Sequence, residues 1–177
     1  MPKRGKWGKI STKWDEVVRK RFLYRLSHGH IMIIGTYFHT IDDKNRLSLP
    51  SKFRKEMGKH VVVTPGLDSC LFVFTADEWE KISERLSGKE ASMLKADNRS
   101  LNRYLLGMAV EIEVDTAGRM LIPDHLRERA KLGSKVVFIG VRDRVEIWDE
   151  ATWQSYAKDV ESKADQLAEK LSQAGMI

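Results

Sequence analysis

Residues 41–54 read IDDKNRLSLPSKFR, and residues 114–127 read VDTAGRMLIPDHLR. At an offset of 73, Asp42 meets Asp115, Arg46 meets Arg119, Pro50 meets Pro123 and Arg54 meets Arg127. The apolar positions agree as well: Ile41 with Val114, Leu47 with Met120, Leu49 with Ile122, Phe53 with Leu126. After a slip of one residue the match resumes, placing Val62-Val63 on Val136-Val137, Leu71 on Val145, Phe74 on Trp148 and Trp79 on Trp153. A duplicated supersecondary unit limits the fold more than any local propensity does. Two copies of one unit can pack as a single pseudo-symmetric body, and each brings the same acid–basic turn to a related place on its surface.

The segments between turn signals read mostly as strands. IIGTYFHTI is β-branched and aromatic, DDKN is a turn, and RLSL is a short second strand. Pro50 fits the first position of a short helix over SKFRKEM. HVVVT and CLFVF pair around PGLDS, and Thr75 with Glu78 forms a capping-box pattern opening a helix to about Leu86. MLKADNRSLNRYLL is a helical connector, with apolar Leu94, Leu101, Leu105 and Leu106. The second copy repeats the series from AVEIEV, whose alternation is that of a half-buried strand. Asp149 caps a last helix, amphipathic through Trp153, Tyr156, Ala157, Val160, Ala164, Leu167 and Leu171. The expected class is mainly β with short helices (α+β). The expected divisions are a basic extension 1–31, a first repeat 36–83, a connector 84–106, a second repeat 107–151 and a C-terminal helix 152–177.

Charge is unevenly placed. Residues 1–31 hold nine Lys/Arg and two Asp/Glu, and the chain from Met32 onward holds 22 and 23, so the body is near neutral. Any nucleic-acid contact must then come from a few well-placed cations, because bulk charge speaks only to non-specific attraction. The longest apolar run, Cys70 to Phe74, is far too short to span a bilayer. One cysteine, Cys70, excludes an internal disulfide and fits a reducing compartment, so a cytoplasmic location is expected. The histidines lack metal-ligand spacing with cysteines or carboxylates. No phosphate-binding Gly loop, nucleophile elbow or catalytic carboxylate pair stands out, so the reading is of a non-enzyme with no metal, cofactor or small-molecule substrate.

The chemistry sits in the two D-x-x-x-R turns. An arginine fork can bond guanine O6 and N7 together or clamp a phosphate. Lys44 adds a point charge, and Asn45 can read a base edge or accept a left-handed backbone, the backbone task that falls to Gly118 in the second copy. Asp42 and Asp115 would repel DNA, so their expected role is structural, accepting turn N–H groups and orienting the neighbouring arginine. Residue chemistry alone leaves two readings of Arg46 and Arg119 open: a turn-stabilising ion pair or a groove contact. Arg54 and Arg127 are expected in ion pairs or subunit contacts.

With both turns in register inside repeated flanks, and with GLDSCLFVFTADEW and VRDRVEIWDEATW beyond them, the sequence resembles the MraZ family of bacterial transcriptional regulators, built from two tandem AbrB-like (SpoVT-AbrB) units. The resemblance covers roughly Ile33 to Tyr156. It implies a pseudo-symmetric swapped-hairpin β-barrel with both halves supplied by one chain, and assembly into a homo-oligomeric ring. It also implies binding to double-stranded DNA at G-rich direct repeats upstream of the gene itself, and thus a nucleoid-associated repressor of a cell-division and cell-wall cluster. On this reading Lys44, Asn45, Arg46 and Arg119 bind nucleic acid, while Asp42, Asp115 and Gly118 shape the turns. An AbrB-like antitoxin that holds a partner protein is the alternative, and ring assembly without DNA is a third.

Family members begin just before the first strand, so Met32 resembles a native start and residues 1–31 depart from the pattern. Lys6-Trp7-Gly8 and Lys13-Trp14-Asp15 recur seven codons apart, and each must encode TGGG, since Trp is TGG and Gly and Asp codons begin with G. Seven codons span about two turns of B-DNA. The expectation is of promoter DNA translated from a misplaced start.

Overall fold

The computed structural model describes residues 32–88 and 95–176. The basic arm, its TGGG recurrence and Leu94 lie outside the described residues. In chain order the elements are β1 (Ile33–Thr40), β2 (Arg46–Ser48), α1 (Ser51–Met57), β3 (His60–Pro65), β4 (Leu71–Thr75), α2 (Ala76–Ser87), α3 (Ala96–Leu105), β5 (Val110–Glu113), β6 (Arg119–Leu121), α4 (Asp124–Arg129), β7 (Lys135–Arg142), β8 (Val145–Asp149) and α5 (Glu150–Gln173).

The sequence repeat becomes an interleaved body. Six antiparallel strands run in the order β1-β7-β8-β4-β3-β5, and β2 pairs with β6 in a separate ribbon. Each repeat lends its first strand to the other: β1 pairs with β7 and β5 with β3. Equivalent strands meet on the pseudo-two-fold, β2 against β6 and β4 against β8, with Leu47 facing Met120 and Phe72 facing Glu146. This is the swapped-hairpin arrangement. The ladders do not run unbroken around a barrel. The ribbon bridges the sheet's two edges through the Ile41–Leu47 pair on one side and the Asp115 N–H to Arg119 O bond on the other.

The core explains the conserved spacing within the repeat. Leu47, Leu49 and Phe53 and their counterparts Met120, Ile122 and Leu126 are at most 1% exposed. In each repeat two residues before the proline and one helix residue after it thus join the core. A second apolar cluster, Cys70, Val137, Ile139 and Trp148, lies under Phe72 and Trp153. Trp148 meets Trp153 of α5 edge-on at 5.5 Å and packs at a tilt against Tyr156 at 4.9 Å. Cys70 packs there as a small apolar group, its thiol pKa pushed up by burial.

Two local expectations are corrected. Pro50 and Pro123 cap α1 and α4 rather than occupying the first helical position; their extended ψ turns the chain into the helix one residue later. Thr75 and Asp149 are the equivalent caps of α2 and α5, and they pair with Val61 and Val136. Val61-Val62, not Val62-Val63, is therefore the counterpart of Val136-Val137. The link from α4 to β7 is longer than that from α1 to β3, and the β7–β8 hairpin is shorter than β3–β4, so the slip is made in two places.

Candidate nucleic-acid interface

Both acid–basic turns close in the same way. Asn45 N–H donates to Asp42 O at 2.9 Å and Asp42 N–H to Arg46 O at 3.0 Å; Gly118 to Asp115 and Asp115 to Arg119 repeat this at 2.8 Å each. The closing residue must take a positive φ, and Asn45 has 57° and Gly118 79°. That is the pattern of a three-residue hairpin loop closed by a left-handed residue, for which Gly and Asn are the low-strain choices. At Gly118 there is a second constraint, because an added Cβ would run into the Arg54 guanidinium.

The aspartates hold the arginines. Asp42 accepts the N–H groups of Lys44 and Arg46 on Oδ1, both at 2.9 Å, and Arg46 Nε and Nη2 on Oδ2 at 2.8 and 2.7 Å. Asp115 accepts Arg119 N on Oδ1 and Arg119 Nε and Nη2 on Oδ2, all at 2.8 Å. The arginine side chains remain 36% and 38% exposed. Each fork is oriented along one edge while Nη1 is left outside this clamp. An exposed pair of this kind adds little to stability, so its physical effect is orientation.

The Arg46 side-chain hydrogen bond, then the Arg46 N–H, hold the Asp42 carboxyl at about 2, against an ordinary value of 3.8. Asp115 is lowered too, chiefly by the Arg119 N–H. Because the folded values lie below the unfolded ones, the clamp's contribution is full above pH about 4 and is lost as pH falls toward 2. An NMR titration of side-chain carboxyls should find the Asp42 midpoint near 2; a midpoint near 4 would mean the clamp is open in solution.

The helices cross to the opposite turn. Arg127 of α4 donates from Nη1 to Asn45 Oδ1, and Asn45 Nδ2 donates to Asp124 Oδ1. Arg54 of α1 lies against Gly118 and donates from Nε to Leu49 O at 2.7 Å, while Arg127 Nε donates to Leu132 O at 3.0 Å. Backbone bonds lock the same crossing: Leu49 N–H to Gly118 O at 2.9 Å and Ile122 N–H to Asn45 O at 3.0 Å. The Asn45 amide is thus engaged at both ends by the second repeat. Arg54 and Arg127, expected in ion pairs or subunit contacts, bond backbone carbonyls and a side-chain amide and fasten one repeat's helix to the other's turn.

The register brings Arg46 and Arg119 to one face. In the ribbon Arg46 pairs with Leu121, Leu47 with Met120 and Ser48 with Arg119. Leu47 and Met120 point inward at 0% exposure, so alternation turns Arg46, Ser48, Arg119 and Leu121 outward together. Lys44 and Asp43 are exposed at one end of that face. Asp43 offsets Lys44, so the first turn is no more positive in sum than the second. Further exposed cations that sequence reading passed over, Lys52 and Lys55, stand on α1, the helix whose Arg54 reaches the second turn.

The duplication that supplies these two turns is also found by comparison with known proteins. A family model described as "MraZ: MraZ protein, putative antitoxin-like" matches the chain twice, over residues 32–104 and 105–174. The chain belongs to the MraZ family. The two matched stretches each contain one D-x-x-x-R turn, so the family unit and the structural repeat coincide. A "Transcriptional regulator MraZ" of Caldanaerobacter subterraneus subsp. tengcongensis is 49% identical over 140 residues, covering 79% of this chain and 96% of that one. Relatives of the same description from Thermoanaerobacter sp. (strain X514) and Alkaliphilus oremlandii are 46% identical over 140 residues and 41% over 145. These cover 79% and 82% of this chain and 96% and 100% of theirs.

Proposed function

We propose that this chain is a sequence-specific DNA-binding transcriptional regulator, a repressor of its own cell-division and cell-wall gene cluster that acts as a ring of identical subunits in the cytoplasm, on the nucleoid. The observation that carries the reading is the outward ribbon face with Arg46 and Arg119, each held in one orientation by its own turn. A two-stranded ribbon fits the major groove, and an arginine presented there on a fixed fork can bond a guanine edge or a phosphate without first ordering itself. Lys44 contributes a phosphate contact at one end. Asn45 would reach a base only by giving up its bonds to Asp124 and Arg127, so its part is to hold the turn. The relatives' description as transcriptional regulators supports the same conclusion.

Self-association is supported by faces that nothing within the described residues covers. α5 is about 36 Å long at 1.5 Å per residue, yet buries no residue fully, and it leaves Leu167 and Leu171 more than 40% exposed. Along it Trp153, Ala157, Val160, Ala164, Leu167 and Leu171 alternate steps of four and three, the spacing of a helix seam. α2 and α3 also bury none of their residues. Linking several modest DNA contacts in one particle raises affinity through effective concentration.

The test is a footprint on duplex DNA upstream of the gene, with the particle mass read by light scattering on the same sample. Recurrent, salt-sensitive protection by a particle several times 20.4 kDa is expected. A monomer would end the ring reading, and absence of specific protection would end the regulator reading. A partner toxin co-purifying in fixed ratio would favour the antitoxin alternative, which the regular α5 helix speaks against.

A further inference from the structure

We infer that Ser48 and Leu121 give the ribbon a direction on DNA, with Leu121 seated on the methyl group of a thymine; this rests on the DNA-binding reading above. The pseudo-two-fold maps Asp42 onto Asp115, Arg46 onto Arg119 and Leu47 onto Met120, so the ribbon face is nearly symmetric. It maps Ser48 onto Leu121, and there the chemistry differs outright: a hydroxyl on one side, a branched alkyl group on the other. Both point outward, opposite Arg119 and Arg46 respectively.

They share the two outward rungs of the ribbon with the arginines. Each arginine is drawn back toward its own turn by its aspartate, and the two turns lie at opposite ends of the ribbon. Each outward rung thus carries one clamped arginine and one side chain outside the clamps, Leu121 or Ser48. Rungs two residues apart stand about 6.8 Å from each other along the strand, close to two base-pair steps of about 3.4 Å. A single placement in the major groove would therefore set the hydroxyl and the alkyl group over two base pairs with one pair between them, each beside a guanidinium fork.

Leu121 is 58% exposed on a three-residue strand whose central residue is at 0%. Isolated exposed leucines are ordinary, but this one stands opposite the oriented Arg46 on the outward face. Apolar contact with a thymine methyl is the direct way for an alkyl side chain to read a base in the major groove. The consequence concerns symmetry. A face with exact two-fold symmetry reads a palindrome and accepts DNA in either direction. A Ser/Leu mismatch breaks that equivalence and gives the face one sense on DNA.

The experiment starts from duplexes selected out of a randomised library by the full chain. In the best duplex each thymine is replaced in turn by uracil, which removes only the methyl group. For the wild type one replacement should weaken binding about fourfold, the worth of one buried methyl-sized group. Leu121→Ser should be indifferent to that replacement and should select more nearly palindromic duplexes. Ser48→Leu should acquire a second methyl dependence at the symmetry-related position. Equal wild-type affinity for every thymine and uracil duplex overturns the inference, as does a Leu121→Ser protein that keeps the methyl dependence. If Leu121→Ser changes the particle mass and leaves methyl dependence intact, Leu121 belongs to a subunit contact and the inference is again overturned. Failure to enrich any duplex would instead remove the DNA-binding reading beneath it.

Discussion

Arg46→Ala is expected to lower affinity for the upstream duplex about tenfold to a hundredfold while leaving the fold and the particle mass unchanged. The first half follows from what one oriented fork contributes. A good bidentate contact with a base is worth about 1–3 kcal/mol, and every 1.4 kcal/mol is a factor of ten. The clamp on Asp42 means little of that is spent on ordering the side chain. The second half follows from exposure. Arg46 and Asp42 form a surface pair, 36% and 40% exposed, and such pairs add little to stability. Asp42 left alone remains solvated, so no buried charge is stranded. Arg46→Lys separates the two modes of contact. A lysine restores charge but not the fork, so it rescues phosphate binding and not base reading. Arg119→Ala should behave alike, because Asp115 holds the second fork as Asp42 holds the first. Where several subunits engage one DNA, the losses compound through the lost effective concentration. A gel-shift titration in which Arg46→Ala binds as tightly as the wild type would remove these arginines from the DNA contact.

What was legible in the chain, and what was not, follows from the range of the interactions. The duplication is written residue by residue, so two equivalent units could be read before any coordinate. Asn45 and Gly118 announced their positive φ, because few residues accept it cheaply. Pairing between repeats was out of reach of local pattern. Nothing in β1 says that its partner is β7, more than ninety residues away, and only resemblance supplied the swap. The same blindness hid the role of Arg54 and Arg127. Their match at the common offset marked them as equivalent, yet each acts on the other repeat's turn, a contact that exists only after the interleaving. The one-residue register slip between β3 and β7 was misplaced for a related reason. A run of valines buried on both faces carries no period to fix it, and the ladders to β4 and β8 decide instead.

Leu47→Ala should be the most destabilising single truncation in the ribbon, costing about 2–5 kcal/mol. Leu47 faces Met120 across the pseudo-two-fold, and both are at 0% exposure. The ribbon is three residue pairs long, so it cannot hold itself together by backbone bonds alone. What pins it to the sheet is this central pair, with Leu49 and Ile122 behind it. Against a typical total of about 5–15 kcal/mol, such a loss brings the protein near its unfolding limit. Leu47→Met, which keeps the volume, should cost under about 1.5 kcal/mol. Met120→Ala should fall in the same range as Leu47→Ala, and the double truncation should cost less than the two summed, because each removes part of the same contact. Denaturant titrations at one protein concentration, which an oligomer requires, would measure all four. The functional consequence comes first, however. Both arginines ride on the strands that flank this pair, so Leu47→Ala should blur their spacing and weaken specific DNA binding under conditions where the chain is still folded. A Leu47→Ala protein with wild-type stability would show that the ribbon does not depend on the core beneath it, and the fixed distance between the two guanidinium groups would lose its physical basis.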